Sequence, residues 1–384
     1  MITRSRLAAI ALAAALVVGA GCRADREPAA RSTGHPGAPL TPHGFTLVAS
    51  GDVLAHTSVI ERANADAGGT RYDFLPMFEG VKPLIAGADL AICHMATVYG
   101  ADGEQTGNPA FKLPPQVAGG LVATGYDACS TASDHSLDDG ATGVRRTLDA
   151  LDLAGVRHAG SARTAQEAYT PTLLRAGSAT VAHLAYTYGT DGFPMPQGQP
   201  WTLNLVDRDR ILADARAARR AGADVVVVSL HWGTEWQEQP DTQQMTLSRE
   251  LTASRTDGRP DIDLILGTHA HVPQAYEKVN GTWVVYGMGD QIAGEMFNRQ
   301  GLQDSRGNES TLARFTFAPP ARKGDRWEVT KAEFVPQLYD IDAGRIVNIN
   351  AALAQGADLG GVRDRIRDVV LSRGAAHDGL TMAQ

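Results

Sequence analysis

Apolar residues gather in short unbroken runs, each closed by a polar residue with chemistry to offer. Asp224 to His231 reads D-V-V-V-V-S-L-H, and Asp261 to His271 reads D-I-D-L-I-L-G-T-H-A-H. Runs of this length and β-branched content read as buried strands. The pattern predicts strands near 45–50, 89–93, 127–131, 156–159, 180–186, 224–230, 262–267 and 283–288. Between them it predicts helices near 74–86, 114–124, 140–154, 207–221 and 241–254. Pro76, Pro114 and Pro115 suit first-turn positions, and Gly125, Gly155 and Gly222 suit helix ends. Strands alternating with helices argue an α/β fold with substantial parallel sheet.

Three segments depart from that alternation. Residues 311 to 337 contain T-L-A-R-F-T-F and W-E-V-T-K-A-E-F-V-P, which alternate like antiparallel strands. Residues 189 to 201 are rich in Gly and Pro and read as a long loop, placed over a site. From about 356 the pattern predicts a polar helix and then a disordered end.

The chain has 384 residues, is 43% hydrophobic and carries a net charge of −8. That length supports a full-sized core. The charge argues against nucleic acid as a partner. At the N-terminus, Arg4 and Arg6 precede an apolar run from Leu7 to Ala20, then Gly21 and Cys22. The run is too short to span a bilayer comfortably and reads as a signal segment, 1–22. Ala20-Gly21 before Cys22 resembles a bacterial lipoprotein signal, which implies lipidation at Cys22; the alternative is a plain secretory signal. Residues 23–43 are rich in Arg, Ala, Pro, Gly and Thr and read as a flexible tether. The expected setting is extracytoplasmic, at the cell membrane. Cys93 and Cys129 fall inside predicted strands and are expected to be separate buried thiols; a disulfide is the alternative in an oxidising compartment.

Ligand sites in α/β proteins gather at strand ends. Here four strand ends offer acid or imidazole: Asp52, Asp134 with His135, His231, and His269 with His271. Singly, each has an ordinary structural use: Asp52 as a helix cap, His231 as a satisfied imidazole. Together they make one metal or acid–base site the better reading.

In order and spacing these motifs resemble the CapA family, the poly-γ-glutamate capsule proteins of the calcineurin-like metallophosphoesterase superfamily, over roughly residues 45 to 295. The family's G-D appears as Gly51-Asp52, and its A-N-N-H-S-L-D-x-G as Ala132 to Gly140. Its H-W-G-x-E appears as His231 to Glu235, and its G-x-H-x-H-V as Gly267 to Val272. Its Y-S-L-G-N-F appears, altered, as Tyr286 to Gln291. The resemblance implies a four-layer α/β/β/α sandwich over residues 44–340, followed by a C-terminal helix and tail at 341–384. It implies two divalent ions (Mn, Fe or Zn) held by Asp52, Asp134, His231, His269 and His271, with His94 as a further ligand. His135 would be the general acid and Asp138 its orienting carboxylate, while Glu235 and Asp290 would contact substrate. The implied function is a surface-tethered metal-dependent hydrolase of a phosphoester or envelope polymer; the alternative is a non-catalytic accessory in making or exporting capsule. Its implied partners are the membrane, an anionic polymer and capsule-synthesis membrane proteins.

The chain departs from the family pattern at His94, Ala96, Asp134 and Asp290. The family's N-L-E is His94-Met95-Ala96, so a carboxylate is missing at 96. Asparagines of the family become Asp134 and Asp290.

Overall fold

The computed structural model describes residues 43–383, apart from 102, 103, 108, 323 and 324. Cys22, the signal segment and the tether up to residue 42 lie outside the described residues.

Two sheets form the centre of the fold. The first has nine strands. Its main path runs Arg345–Asn348, Glu328–Asp340, Glu309–Ala318, Phe45–Val53, Leu90–Met95, Ala128–Ser130, Arg157–Ala159. From Phe45–Val53 to Arg157–Ala159 the neighbours are parallel, and on the other side they are antiparallel. The second sheet has six strands, ordered Tyr276–Val279, Thr282–Val285, Leu264–Thr268, Val225–His231, Ala179–Thr187, Thr172–Ala176. Its central four are parallel.

Three apolar layers hold the sheets and helices together. Phe45, Leu47 and Phe315 of the first sheet meet Val225, Val227, Leu264 and Leu266 of the second in a core between the sheets. Phe45 stacks on Phe317 with centroids 4.8 Å apart. Alternate residues of the same strands, such as Val48, Ala91 and Cys93, face the helices Thr57–Asp66, Val117–Thr124 and Gly140–Ala154. In the second sheet, Ala182, Val226, Val228 and Ile265 face the helices Arg208–Arg220 and Thr242–Ala253. The order helix, sheet, sheet, helix is the expected four-layer sandwich.

Some local expectations are corrected. The helix anticipated over 74–86 is two short turns, Leu75–Phe78 and Lys82–Ala86. Pro83 has no N–H to give and is tolerated only in a first turn, so it opens a new one. The C-terminal end, anticipated as disordered, pairs as Leu380–Met382 in parallel with Glu328–Asp340, and Leu380 is buried in the inter-sheet core. The helix Gly360–Val370 precedes it, burying Ile366 and Val370. Cys93 and Cys129, anticipated as separate thiols, form a disulfide. They are register partners on neighbouring parallel strands, with Cα atoms 4.4 Å apart. Each strand read alone could not reveal that proximity, which is within disulfide reach. The hairpin Tyr276–Val279/Thr282–Val285 turns on Asn280-Gly281, both with positive φ, the type I′ chemistry that two-residue hairpins favour.

His183 sits on Ala179–Thr187 with its neighbours Ala182 and Leu184 turned to the helices, so its ring points between the sheets. It is fully buried, and burial pushes its pKa down from 6.5 to about 4. On acidification the unfolded chain takes up this proton first. His183 therefore contributes its full stability above about pH 6.5 and loses it as pH falls toward about 4. Urea unfolding of wild type and His183→Gln should show wild type losing ground to the variant across that window. A pH-independent difference would contradict the neutral buried ring.

Candidate metal centre

The carboxyl ends of parallel strands from both sheets converge on one place. Asp52 is the next-to-last residue of Phe45–Val53 and is in register with His94 on the adjacent strand. Gly51 before it has no room for a side chain, since a Cβ there would lie 1.7 Å from the Gly289 carbonyl oxygen. Asp134 lies in the loop after Ala128–Ser130. From the second sheet, His231 closes its strand in register with Thr268, and His269 follows directly. His269 and His271 have φ of 92° and 61°. Non-glycine residues adopt this backbone at a cost of about 1–3 kcal/mol, a strain that clusters at functional sites.

Two groups of ligand atoms result. Asp52, His94 and His231 form one, and Asp134, His231 and His269 the other; within each, the atoms lie within 4.8 Å of one another. Asp52 Oδ1 is 3.2 Å from His94 Nε2 and 3.5 Å from His231 Nδ1. His231 Nε2 lies 3.0 Å from Asp134 Oδ1, and His269 Nδ1 lies 3.6 Å from Asp134 Oδ2. All five side chains are buried. Neighbours fix their orientation. Ser130 Oγ is 2.6 Å from His94 Nδ1, and Thr268 Oγ1 is 3.0 Å from His231 Nδ1. Tyr188 donates its hydroxyl to Asp134 Oδ2 at 3.0 Å, and its ring lies 4.5 Å from that of His269.

Burial and neighbouring charge set the protonation of the cluster. Burial, reinforced by the neighbouring His231, holds His94 and His269 well below the usual histidine range, so both are neutral and offer a lone pair. Burial also pushes Asp52 up to about 7, against the pull of His231. Burial would raise Asp134 too, but the surrounding imidazoles prevail and hold it well below the carboxylate range. Asp52 Oδ1 and His94 Nε2 face each other without a hydrogen bond. Buried polar atoms are rarely left so, and a bound cation would satisfy both. The donor set, carboxylate with imidazole, fits Mn, Fe or Zn.

The other expected residues ring this cluster. His135 Nδ1 lies 3.0 Å from Asp138 Oδ2, which also accepts the Phe111 N–H at 2.6 Å. Burial lowers the basicity of His135, but Asp138 and Asp134 outweigh it and raise its pKa. His271 is bonded to Asp290 at 3.0 Å and belongs to neither ligand group. Burial opposes its charge, yet Asp290 prevails and pushes the pKa up to about 9. Asp290, anticipated as a substrate contact, is fully buried as the partner of His271; its strand pairs beside Asp52 and turns the carboxylate inward. Glu235 is half-exposed, 4.0 Å from His271 and 3.5 Å from Arg299. Ala96 lies in an apolar cluster with Leu54, Phe111, Ala293 and Met296.

Sequence reading missed Tyr188, His56, Ser130 and Thr268. Tyr188 lies two residues past a predicted strand end, so the strand-end rule that found Asp134 would have found it. His56 lies four residues beyond Asp52, with its ring 4.9 Å from Phe111. Burial pushes its pKa down to about 4, and it feels Asp290, His271 and His135. Asp191, in the Gly/Pro-rich segment, feels His135, Asp134 and Glu235, so that segment does border the site.

Residues 46–295 match the model of the bacterial capsule synthesis protein family PGA_cap, about two thirds of the chain. The chain belongs to this family. Among curated capsule proteins, it is 27% identical over 239 residues to the PGA biosynthesis protein CapA of Bacillus subtilis, covering 58% of each chain. It is 22% identical over 264 residues to the capsule biosynthesis protein CapA of Bacillus anthracis, covering 66% of this chain and 61% of that one. The chain thus spans about three fifths of the length of the curated relatives it matches. A phosphatase from Mycoplasma pneumoniae aligns with 78% of this chain and 95% of its own, at 13% identity and a TM-score of 0.46. Within the capsule synthesis family match lie all the candidate site residues described above.

Asp138 is the shared acceptor for the Phe111 amide and the His135 ring. Asp138→Ala leaves both without a partner and should cost about 2–4 kcal/mol in urea unfolding. The His135 pKa, followed by NMR, should fall in the same variant. Unchanged stability and an unchanged His135 titration would remove Asp138 from this role.

Proposed function

We propose that this member of the capsule synthesis family is a metal-dependent hydrolase of the bacterial cell envelope, acting on a phosphoester or an envelope polymer. The observation that carries the reading is the pair of buried carboxylate–imidazole groups that share His231. Asp134, His231 and His269 would hold one ion. A neutral imidazole has a single lone pair, so His231 serves one ion only. A second ion would rest on Asp52 and His94, the pair that lacks a hydrogen bond. A bound divalent ion supplies an activated water and polarises the scissile phosphoryl or acyl oxygen.

The chain's own groups do the rest. Asp138 holds His135 Nδ1, leaving Nε2 to give a proton to the leaving oxygen. Asp290 keeps His271 cationic beside Asp52, which counters the carboxylate charge an anionic substrate would meet. Glu235 and Arg299 stand at the exposed side, where a substrate would enter. Lipidation at Cys22 would tether the domain through residues 23–43 to the membrane, near capsule-synthesis membrane proteins and their anionic polymer.

One observation favours the non-catalytic accessory instead. The position of the family's Glu is Ala96 in an apolar cluster, so no carboxylate replaces it there. Metal analysis after Mn loading, with hydrolysis of a generic phosphodiester, separates the two readings. The hydrolase reading expects at least about one ion per chain, and a loss of about 10²-fold or more in rate with Asp134→Asn or His269→Ala. Bound metal without hydrolysis would favour the accessory. No retained metal, and no effect of His269→Ala, would contradict the metal site itself.

A further inference from the structure

Tyr188 is the first residue after the strand Ala179–Thr187 of the second sheet. It touches all three members of the group Asp134, His231 and His269, each in a different way. Its main-chain N–H donates to the His231 carbonyl oxygen at 2.9 Å, which ties it to the neighbouring strand. Its ring lies against that of His269, with centroids 4.5 Å apart and planes tilted by 43°. Its hydroxyl donates to Asp134 Oδ2 at 3.0 Å. The three ligand side chains are buried, whereas Tyr188 is 44% exposed and forms part of the wall between them and solvent.

The carboxylate of Asp134 is the member of the group that needs holding. It stands on a loop of the first sheet, while His231 and His269 stand on the second. Two hydroxyls fix it, one on each oxygen. Ser133, its neighbour in the same loop, donates to Oδ1 at 3.1 Å. Tyr188 donates to Oδ2 from the other sheet, 54 residues away in sequence. Ser133 moves with the loop, and Tyr188 moves with the histidines. The bond from Tyr188 is thus the one that sets the carboxylate against the imidazoles, with Oδ1 facing His231 Nε2 at 3.0 Å. It also pairs the second oxygen, which a buried carboxylate requires. An asparagine with its oxygen turned toward His231 would present an NH2 to Tyr188 and accept nothing from it.

We propose that Tyr188 is a positioning residue of the metal centre: its hydroxyl fixes the Asp134 carboxylate so that Oδ1 is offered to an ion shared with His231 and His269. The inference rests on the metal site proposed above and adds to it the residue that couples the two sheets there. Groups that hydrogen-bond to a metal ligand set affinity by about 10–100-fold. Tyr188→Phe isolates the hydroxyl, because the ring contact with His269 and the main-chain bond to His231 both survive it.

Manganese binding by the full chain, followed through the electron paramagnetic resonance signal of the free ion, tests this without turnover. Tyr188→Phe should weaken the binding of one ion about tenfold or more. The same substitution in an Asp134→Asn background should change binding little, since no bond from Tyr188 is left to lose. Zinc, which such sites hold more tightly, takes the place of manganese if the Asp134→Asn chain binds manganese too weakly to titrate. A merely structural tyrosine would lower the melting temperature in EDTA and leave the affinity alone. A loss of less than about tenfold with Asp134 present, or an equal loss in both backgrounds, would overturn this inference alone. Natural chain that binds no ion would overturn the metal centre and the inference with it.

Discussion

Asp52 Oδ2 accepts the main-chain N–H of His269 at 3.1 Å, across a separation of 217 residues. This bond joins the carboxyl edge of one sheet to that of the other, and the rest of the site is arranged around it. Burying a carboxylate is costly unless its oxygens are paired. One oxygen of Asp52 is satisfied by that amide, and the other faces His94 and His231. Asp134 repeats the arrangement, with His231 on one oxygen and Tyr188 on the other. Neither sheet could bury its share alone. The carboxylates come from the first sheet and its loops, and most of the imidazoles that meet them come from the second.

Much of this arrangement was legible in the sequence because parallel strands carry a strong local signal. The runs ending at Asp52, His231 and His269 are apolar, β-branched and closed by a functional residue. The α/β class with parallel sheet followed from the alternation of such runs with helices, whereas the four-layer order was implied by the family resemblance. What stayed hidden depends on contacts between segments. The Cys93–Cys129 bridge needs the register of two strands, and the pairing of Leu380–Met382 needs the position of a distant one. The partnership of His271 with Asp290 could not be read from either residue, since both had appeared free to meet metal or substrate. The helix Thr57–Asp66 was overlooked because only Val59, Ile60 and Ala63 of its ten residues are buried.

The departures from the family pattern have a common physical setting. Ala96 sits among Leu54, Phe111 and Met296 in an apolar cluster. Phe111 in turn has its amide held by Asp138, the residue that also orients His135. His94, where the family has Asn, stands in the adjacent strand against Asp52, with its ring 4.8 Å from that of His231. The disulfide lies one residue away on the same two strands, fixing the spacing on which the bond between His94 and Ser130 depends. His94, the disulfide and Ala96 thus lie on or just past one strand of the first sheet.

The central claim is that the two sheets meet in order to hold a cation between Asp134, His231 and His269. Anomalous diffraction from crystals soaked in manganese tests it most directly. The account predicts a peak within coordination distance of those three side chains, about 2.0–2.3 Å from each donor, which His231→Ala abolishes. A well-ordered site with no peak there, or manganese bound only elsewhere on the molecule, would contradict it.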